Sequence, residues 1–129
     1  MYEEKPHVLY VEDQADTRTL ITFMLDMSGL VVTAVERARD GLQQLDLHHF
    51  DLVLLDNALP DVSGCNLCRV IREFDKEVPI LFYSACDLPD EIERAIDAGA
   101  DGYQIKPTDT DHLPHRIWRL IIERRMNDE

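Results

Sequence analysis

The sequence predicts an α/β fold in which a five-stranded parallel sheet lies between two layers of helices. Short apolar runs and amphipathic stretches alternate five times along the 129 residues, and this alternation is typical of strand–helix–strand crossovers. The runs are apolar at successive positions, as expected of strands buried on both faces. The alternation implies right-handed crossovers between parallel strands, and residues 1–129 are expected to form one (βα)5 domain.

The five predicted strands are short, and the polar residues that follow them are the informative ones. Glu12 and Asp13 come directly after the first strand, and Asp56 comes directly after the third. The second strand is the least distinct, since its residues could also continue the preceding element. Strands are expected at residues 7–11, 31–35, 52–55, 79–83 and 102–105.

Several predicted helices carry boundary residues at their ends. Asp16 is expected to cap the first helix and Ser63 the third, because their side-chain oxygens accept hydrogen bonds from the free amides of a helix start. Gly29 and Gly99 are expected to end the first and fourth helices. Helices are expected at residues 16–28, 37–48, 63–74, 87–98 and 109–126.

The chain is acidic, with 26 Asp and Glu against 13 Lys and Arg and a net charge of −13 at pH 7. That charge disfavours direct binding of this domain to nucleic acid or to an anionic membrane. Three cysteines and no apolar leader in residues 1–5 predict reduced thiols in a cytoplasmic protein. No apolar run approaches the roughly 18 residues that a membrane span requires.

Polar residues end four of the predicted strands, at the edge of the sheet where the carboxyl ends of parallel strands meet. Acids gathered at one edge repel one another, so a hard cation such as Mg²⁺ is the simplest reason for their grouping. Acids, a hydroxyl and an ammonium group together suit phosphoryl transfer to a carboxylate, with Mg²⁺ shielding the anionic donor. The residues are Glu12 and Asp13, Asp56, Ser84 and Lys106.

Within that chemistry, each of three residues has a distinct predicted role. Asp56 would be the nucleophile that forms an acyl phosphate. Lys106 would pair with the phosphoryl oxygens, and the Ser84 hydroxyl would donate a hydrogen bond to another of them.

Four short stretches of the chain carry these polar residues. They are Val11-Glu12-Asp13, Asp51-Leu-Val-Leu-Leu-Asp56 with Leu59-Pro60 and Gly64, Tyr83-Ser84-Ala85, and Gly99-Ala-Asp-Gly-Tyr103-Gln-Ile-Lys106-Pro107. Any one of them alone would be a weak signal, but all four occur in order on the expected elements. Together they resemble the receiver domain of the response regulators of two-component signalling, over essentially the whole chain.

The resemblance implies a doubly wound, flavodoxin-like fold of the chemotaxis-regulator type, with strand order 2-1-3-4-5. It also implies Asp56 as the phosphoryl acceptor and Mg²⁺ as the cofactor. Asp13 and Asp56 match the direct metal ligands, and Glu12 matches a ligand that acts mainly through water. The backbone carbonyl of Ala58 matches the remaining protein ligand.

The resemblance assigns the other polar residues to phosphoryl binding and switching. Ser84 and Lys106 match the residues that bind the phosphoryl group, and Lys106-Pro107 is a candidate cis peptide. Tyr103 matches an aromatic switch that turns inward when Ser84 moves toward the phosphate. A static, half-buried ring at a sheet edge is the alternative for Tyr103.

The resemblance also implies partners. A sensor histidine kinase or a histidine phosphotransfer protein would donate the phosphoryl group, and a downstream protein target or output domain would read the result. The face of the fourth helix, fifth strand and fifth helix would change, and two copies could pair through it. No activity beyond self-phosphorylation and autodephosphorylation at Asp56 is expected. The chain could be a stand-alone regulator or the receiver of a longer protein, such as a hybrid kinase or a transcription factor.

Two other functions remain open from the residues. A hydrolase of the haloacid-dehalogenase type also uses a nucleophilic Asp, Mg²⁺ and a Lys, but it needs a second acid where this chain has Ala58. An interaction module that is never phosphorylated is the other. The pair Cys65 and Cys68 lacks the further ligands of a zinc site, so helix thiols are expected. Trp118 and Ile122 fall off the apolar stripe of the last helix and suggest either a partner surface or the edge of the core.

Overall fold

The sheet has the predicted topology. The structure is a computed structural model that describes residues 4–127. The sequence predicts no apolar leader in residues 1–5, and the first three of these lie outside the described range. The strands run in the order β2-β1-β3-β4-β5, and each pairs in parallel with its neighbours. The predicted fold class and strand order are therefore confirmed. The strands are β1 (His7–Val11), β2 (Val31–Val35), β3 (Leu52–Leu55), β4 (Ile80–Ser84) and β5 (Gly102–Ile105).

The helices follow the strands, and the last one differs most from its predicted start. It begins after a 3-10 turn at Thr110–His112. The Ile105 amide donates to the Asp109 carboxylate, and the Asp109 amide donates to the Ile105 carbonyl. These two hydrogen bonds hold residues 105–109 in a turn and delay the start of the helix. In the described part of the chain, no helix combines the length and apolarity needed to span a membrane. The helices are α1 (Ala15–Met27), α2 (Ala38–Leu47), α3 (Gly64–Phe74), α4 (Pro89–Asp97) and α5 (Leu113–Asn127).

The predicted caps are right at three positions and wrong at one. The Ser63 hydroxyl accepts the Asn66 amide at 3.1 Å and caps α3. Gly29 and Gly99 have positive φ values of 88° and 113°, each one residue beyond the C-cap of α1 or α4, where only glycine is unstrained. Asp16 does not cap α1, because the helix already begins at residue 15 and Asp16 lies in its first turn, where its charge favours the helix dipole.

Two apolar cores lie on opposite faces of the sheet, because alternate residues of a strand point to opposite sides. Val8 and Tyr10 of β1 pack in the core beneath α1 and α5, and Leu9 and Val11 pack in the core beneath α2 to α4. Trp118 wraps the edge of the first core, and its indole donates to the Ser28 carbonyl at 2.8 Å, whereas Ile122 is 46% exposed.

Candidate functional site

The ends of β1, β3, β4 and β5 form one continuous edge of the sheet, because β3 lies between β1 and β4 and β4 lies beside β5. Two backbone hydrogen bonds hold this edge together. The Asp56 amide donates to the Val11 carbonyl at 3.1 Å, and the Lys106 amide donates to the Ser84 carbonyl at 2.9 Å. The strand-end polar residues are therefore placed by the rigid centre of the fold.

Three carboxylates meet at this edge, and we refer to Glu12, Asp13 and Asp56 as the acid cluster. One carboxylate oxygen of each lies within 4.8 Å of the others. Glu12 and Asp56 are buried, and Asp13 is half-buried. Hard carboxylate oxygens at this spacing are the donor set that Mg²⁺ prefers, so the residues fit the cofactor that the sequence predicts.

Lys106 offsets the charge of the acid cluster. Its ammonium group donates to Glu12 Oε1 at 2.6 Å and to Asp56 Oδ2 at 2.9 Å, and it lies 5.2 Å from the centre of the Tyr83 ring. Burial alone would lower the pKa of Lys106, but the hydrogen bonds and charges of Asp56 and Glu12 outweigh it and raise that pKa above its ordinary value. Lys106 is therefore charged at neutral pH.

Glu12 is held on every side although it is fully buried. Its Oε1 accepts from the Tyr10 hydroxyl at 3.2 Å as well as from Lys106, and its Oε2 accepts the Gln14 amide at 3.1 Å. Burial raises the pKa of the Glu12 carboxyl, and the Asp56 charge adds to this; the Lys106 ammonium and the Gln14 amide act in the opposite direction. The carboxylate depends on these donors because it has lost contact with water.

Asp56 stands in a tight loop between β3 and α3. Its Oδ1 accepts the Ala58 amide at 3.2 Å, while Oδ2 faces Lys106. A Cβ atom at Gly64 would lie 2.5 Å from the Asp56 carbonyl oxygen, so only glycine lets the start of α3 approach this loop closely. The metal-binding role of the Ala58 carbonyl stays a prediction.

Ser84 and Tyr103 lie on the β4–β5 side of the edge. The Ser84 hydroxyl is buried and is near the Cys86 amide, at 3.4 Å. The Tyr103 ring stacks on Phe82 at 5.7 Å between centroids, and its hydroxyl donates to the Cys86 carbonyl at 2.7 Å. Tyr103 thus contacts the loop that follows Ser84, and its role as a switch stays a prediction. The predicted cis peptide at Lys106-Pro107 is present.

Sequence reasoning missed the contacts of Asn57, which follows Asp56 directly. Its side-chain carbonyl accepts the Cys65 amide of α3 at 3.1 Å, and its amide donates to Glu91 of α4 at 3.1 Å. Asn57 therefore ties the loop that carries Asp56 to two helices. No pattern in the sequence indicates this contact, because Asn57 and Glu91 are 34 residues apart.

The cysteines behave as the sequence predicts. Cys65 and Cys68 are buried free thiols of α3, and Cys86 is half-buried. Burial raises the pKa of both helix thiols, in Cys68 to about 11. Both are therefore protonated at neutral pH, which disfavours metal binding and redox exchange.

Comparisons with known proteins point to one family. The family model described as "Response regulator receiver domain" matches residues 8–118. The chain is 36% identical over 121 residues to the transcriptional regulatory protein CseB of Streptomyces avermitilis, covering 94% of this chain and 51% of CseB. It is 33% identical over 119 residues to the two-component response regulator ORR8 of Oryza sativa, covering 90% of this chain and 98% of ORR8.

A solved structure gives the same result for the fold. The signal receiver domain of a putative Luxo repressor protein from Vibrio parahaemolyticus superposes with a TM-score of 0.89 at 26% identity, covering 96% of this chain and 95% of that one. The chain spans about half the length of CseB and almost all of ORR8.

Proposed function

The chain belongs to the response regulator receiver domain family, and from that premise we propose that it is a switch operated by phosphorylation of Asp56. The phosphoryl donor is a sensor histidine kinase or a histidine phosphotransfer protein. Receiver domains generally use Mg²⁺ at their acidic pocket, and Asp13 and Asp56, with Glu12 and the Ala58 carbonyl, are the residues that would hold it here.

The observation that carries the proposal is the position of Lys106. A half-buried ammonium group bridges Glu12 and Asp56 at 2.6 and 2.9 Å, so a cation already stands beside the carboxylate that would be phosphorylated. A phosphoryl group attached to Asp56 brings close to two negative charges to this edge. Lys106 is within reach of those oxygens, and a charge-assisted hydrogen bond there is about twice as strong as a neutral one.

The transfer step moves a phosphoryl group from the donor to the Asp56 carboxylate. An oxygen of the Asp56 carboxylate forms a bond to phosphorus while the bond from phosphorus to the donor imidazole nitrogen breaks, and the product is an acyl phosphate. Mg²⁺, when bound, neutralises charge on the transferring group. Lys106 and the Ser84 hydroxyl bind the phosphoryl oxygens, and Glu12 and Asp13 would hold the cation.

The signal leaves the site through Ser84 and Tyr103. Movement of the Ser84 hydroxyl toward the phosphoryl group alters the loop whose Cys86 carbonyl binds the Tyr103 hydroxyl. Tyr103 lies on β5 between α4 and α5, so its movement changes the α4-β5-α5 face that a partner reads. That partner is an output domain, a separate protein target or a second copy of the chain.

The test is the substitution Asp56→Asn, which keeps the shape of the side chain and removes the nucleophile. The wild-type protein should gain the mass of one phosphoryl group when it is incubated with Mg²⁺ and acetyl phosphate or a phosphorylated kinase domain, and the variant should gain none. Intact-protein mass spectrometry measures both. Asp97→Asn, at an exposed position of α4, is the control and should be phosphorylated normally. Equal labelling of the Asp56 variant and the wild type would refute the proposal.

Neither alternative function is proposed. Receiver domains are not classical enzymes, and Ala58 occupies the position at which the hydrolase needs an acid. Two buried acids beside a half-buried ammonium are costly to desolvate, and binding a partner protein does not require such a group. A cytoplasmic location stays part of the proposal, supported by three free thiols.

A further inference from the structure

Tyr10 is the polar exception in an otherwise apolar stretch of β1. Its side chain is fully buried in the core beneath α1 and α5. A hydroxyl in such a place costs free energy unless it has a hydrogen-bond partner. The partner is Glu12, whose Oε1 lies 3.2 Å from the hydroxyl oxygen.

Tyr10 lies in β1, and Glu12 is the first residue after that strand. Residues two apart on a strand point to the same face. β1 pairs with β2 on one side and β3 on the other, so the backbone that carries Tyr10 is hydrogen-bonded along both edges. A donor on such a support can fix the direction of a neighbouring carboxylate.

The three donors that hold the Glu12 carboxylate differ in what else they do. Lys106 is shared with Asp56, and in the proposed function it also binds the phosphoryl group. The Gln14 amide binds only the other oxygen, Oε2. The Tyr10 hydroxyl has a single proton to donate, and it donates it to Oε1. Tyr10 is therefore the donor that can keep Oε1 in place whatever Lys106 does.

Glu12 has more need of such a contact than a shorter acid would. A glutamate has one more rotatable bond than an aspartate, and fixing that bond costs conformational entropy. A binding site gains affinity when the side chain is already ordered in the free protein, because binding then costs less conformational entropy. The Tyr10 hydroxyl orders the Glu12 side chain in this way, by holding its carboxylate beside Asp13 and Asp56.

We propose that Tyr10 is a positioning residue for divalent-cation binding, which acts by holding the Glu12 carboxylate in the acid cluster. This inference rests on the proposed function, because the cation is the Mg²⁺ of that function. Tyr10 itself touches neither the cation nor the phosphoryl group. It raises the affinity of the acid cluster for the cation only through its contact with Glu12.

The test is a titration of Mg²⁺ into the wild type and Tyr10→Phe, followed by calorimetry. Phenylalanine keeps the packing and removes only the hydroxyl, so the variant should fold, which urea unfolding checks. Because loss of an outer partner of a metal ligand typically weakens metal affinity about 10- to 100-fold, and Glu12 is expected to act through water, we expect a Kd about three- to tenfold higher. Thr33→Val, which removes a hydroxyl bonded to His7 Nε2 on the edge strand, is the matched control and should leave the Kd unchanged.

A double-mutant cycle separates positioning from a general effect on the fold. In a Glu12→Ala background, Tyr10→Phe should have no further effect on the Kd, since the carboxylate it positions is absent. The same loss in both backgrounds, or an unchanged Kd for Tyr10→Phe alone, would overturn the inference and leave the proposed function standing. If the wild type bound no Mg²⁺, the cation part of the proposed function and this inference would fail together.

Discussion

Lys106 balances the charge of the acid cluster at the residue scale. Its side chain is 16% exposed, and it contacts Glu12 and Asp56, whose side chains are 0% and 7% exposed. Such a group adds little stability compared with an apolar core, because the desolvation of the three charges offsets their attraction. Removing one member, however, leaves the others uncompensated. The site is therefore built to need a positive charge at this point.

Lys106→Met should lower the free energy of unfolding by about 3 kcal/mol in the absence of divalent cations, because two buried acids lose their counter-charge. Mg²⁺ at saturating concentration should recover part of that loss, since a ligand that binds only the folded state stabilises it. Urea unfolding with and without Mg²⁺ measures both effects.

Lys76→Met is the control for that variant. The Lys76 ammonium is exposed and bonds the Arg72 carbonyl, so its loss should change the free energy of unfolding by less than about 0.5 kcal/mol. If Lys106→Met were as stable as Lys76→Met without Mg²⁺, the two acids would not depend on Lys106 for their charge balance.

At the scale of elements, the start of α2 is capped from another part of the chain. Both carboxylate oxygens of Asp61 accept amides of the first turn, those of Ala38 and Arg39, at 3.0 Å each. Asp61 lies in the loop that follows Asp56, so this cap ties the phosphorylation loop to α2. Slight burial acts to raise the pKa of Asp61, but the backbone hydrogen bonds, with those from Arg39 and Ala38 foremost, outweigh it and lower that pKa below its usual value.

Asp61→Ala should therefore lower the free energy of unfolding by about 1 kcal/mol at pH 7, as the loss of a helix cap does. A carboxyl group whose pKa is lowered by folding contributes its stability above its unfolded pKa of about 3.9 and loses it as the pH falls through the folded value. The difference between the wild type and the variant should shrink over that acidic range, as urea unfolding at a series of pH values would measure.

Asp61→Asn separates the cap from the charge. Asparagine has one acceptor oxygen where aspartate has two, so it can keep only one of the two bonds to the Ala38 and Arg39 amides, and it does not titrate. This variant should lie between the wild type and Asp61→Ala in stability at pH 7, and its stability should change less as the pH falls. A constant gap between the wild type and Asp61→Ala at every pH would contradict an ionised cap.

At the scale of the whole molecule, the sheet is shared by two cores, one on each face. Leu25 of α1 and Leu67 of α3 are 0% and 1% exposed, in different cores. Each is packed against strands that also form one side of the other core. The two layers should therefore unfold as one unit.

Leu25→Ala and Leu67→Ala should each lower the free energy of unfolding by about 2 to 5 kcal/mol, because each leaves a cavity in a closed core. Unfolding followed by Trp118 fluorescence, which reports on the α1/α5 side, and by far-UV circular dichroism should give coincident midpoints in both variants. Leu47→Ala, at a side chain that is 61% exposed, should have little effect. Separated midpoints would show that the layers unfold independently.

Much of this fold follows from local patterns in the sequence. β3 and β4 are apolar at every position but the last of β4, and they could only be strands buried on both faces. Gly29 and Gly99 end their helices as predicted, because the positive φ that ends a helix depends on the residue at that position and not on distant contacts. Asp16 failed as a cap because the start of α1 depends on how the chain leaves β1.

The contacts around the site follow less well. Asp61 reaches α2 across 22 and 23 residues, and Asn57 reaches Glu91 across 34. Neither has a periodic signal, because such contacts depend on how two loops are placed by the helices and strands between them. The Tyr10–Glu12 contact does follow a two-residue period, but nothing in the sequence says that the two side chains meet rather than point past each other.

The sequence alone determined the strand ends at which the polar residues lie. Apolar runs indicate which strands are buried, and the order of strands and helices indicates that the strands are parallel. It also placed the chain in its family, through four stretches that occur in the right order. Only the tertiary structure decided the distances within the acid cluster, the bridging position of Lys106 and the buried hydroxyl beneath Glu12. Those depend on side-chain directions, which the packing of two cores against one sheet fixes.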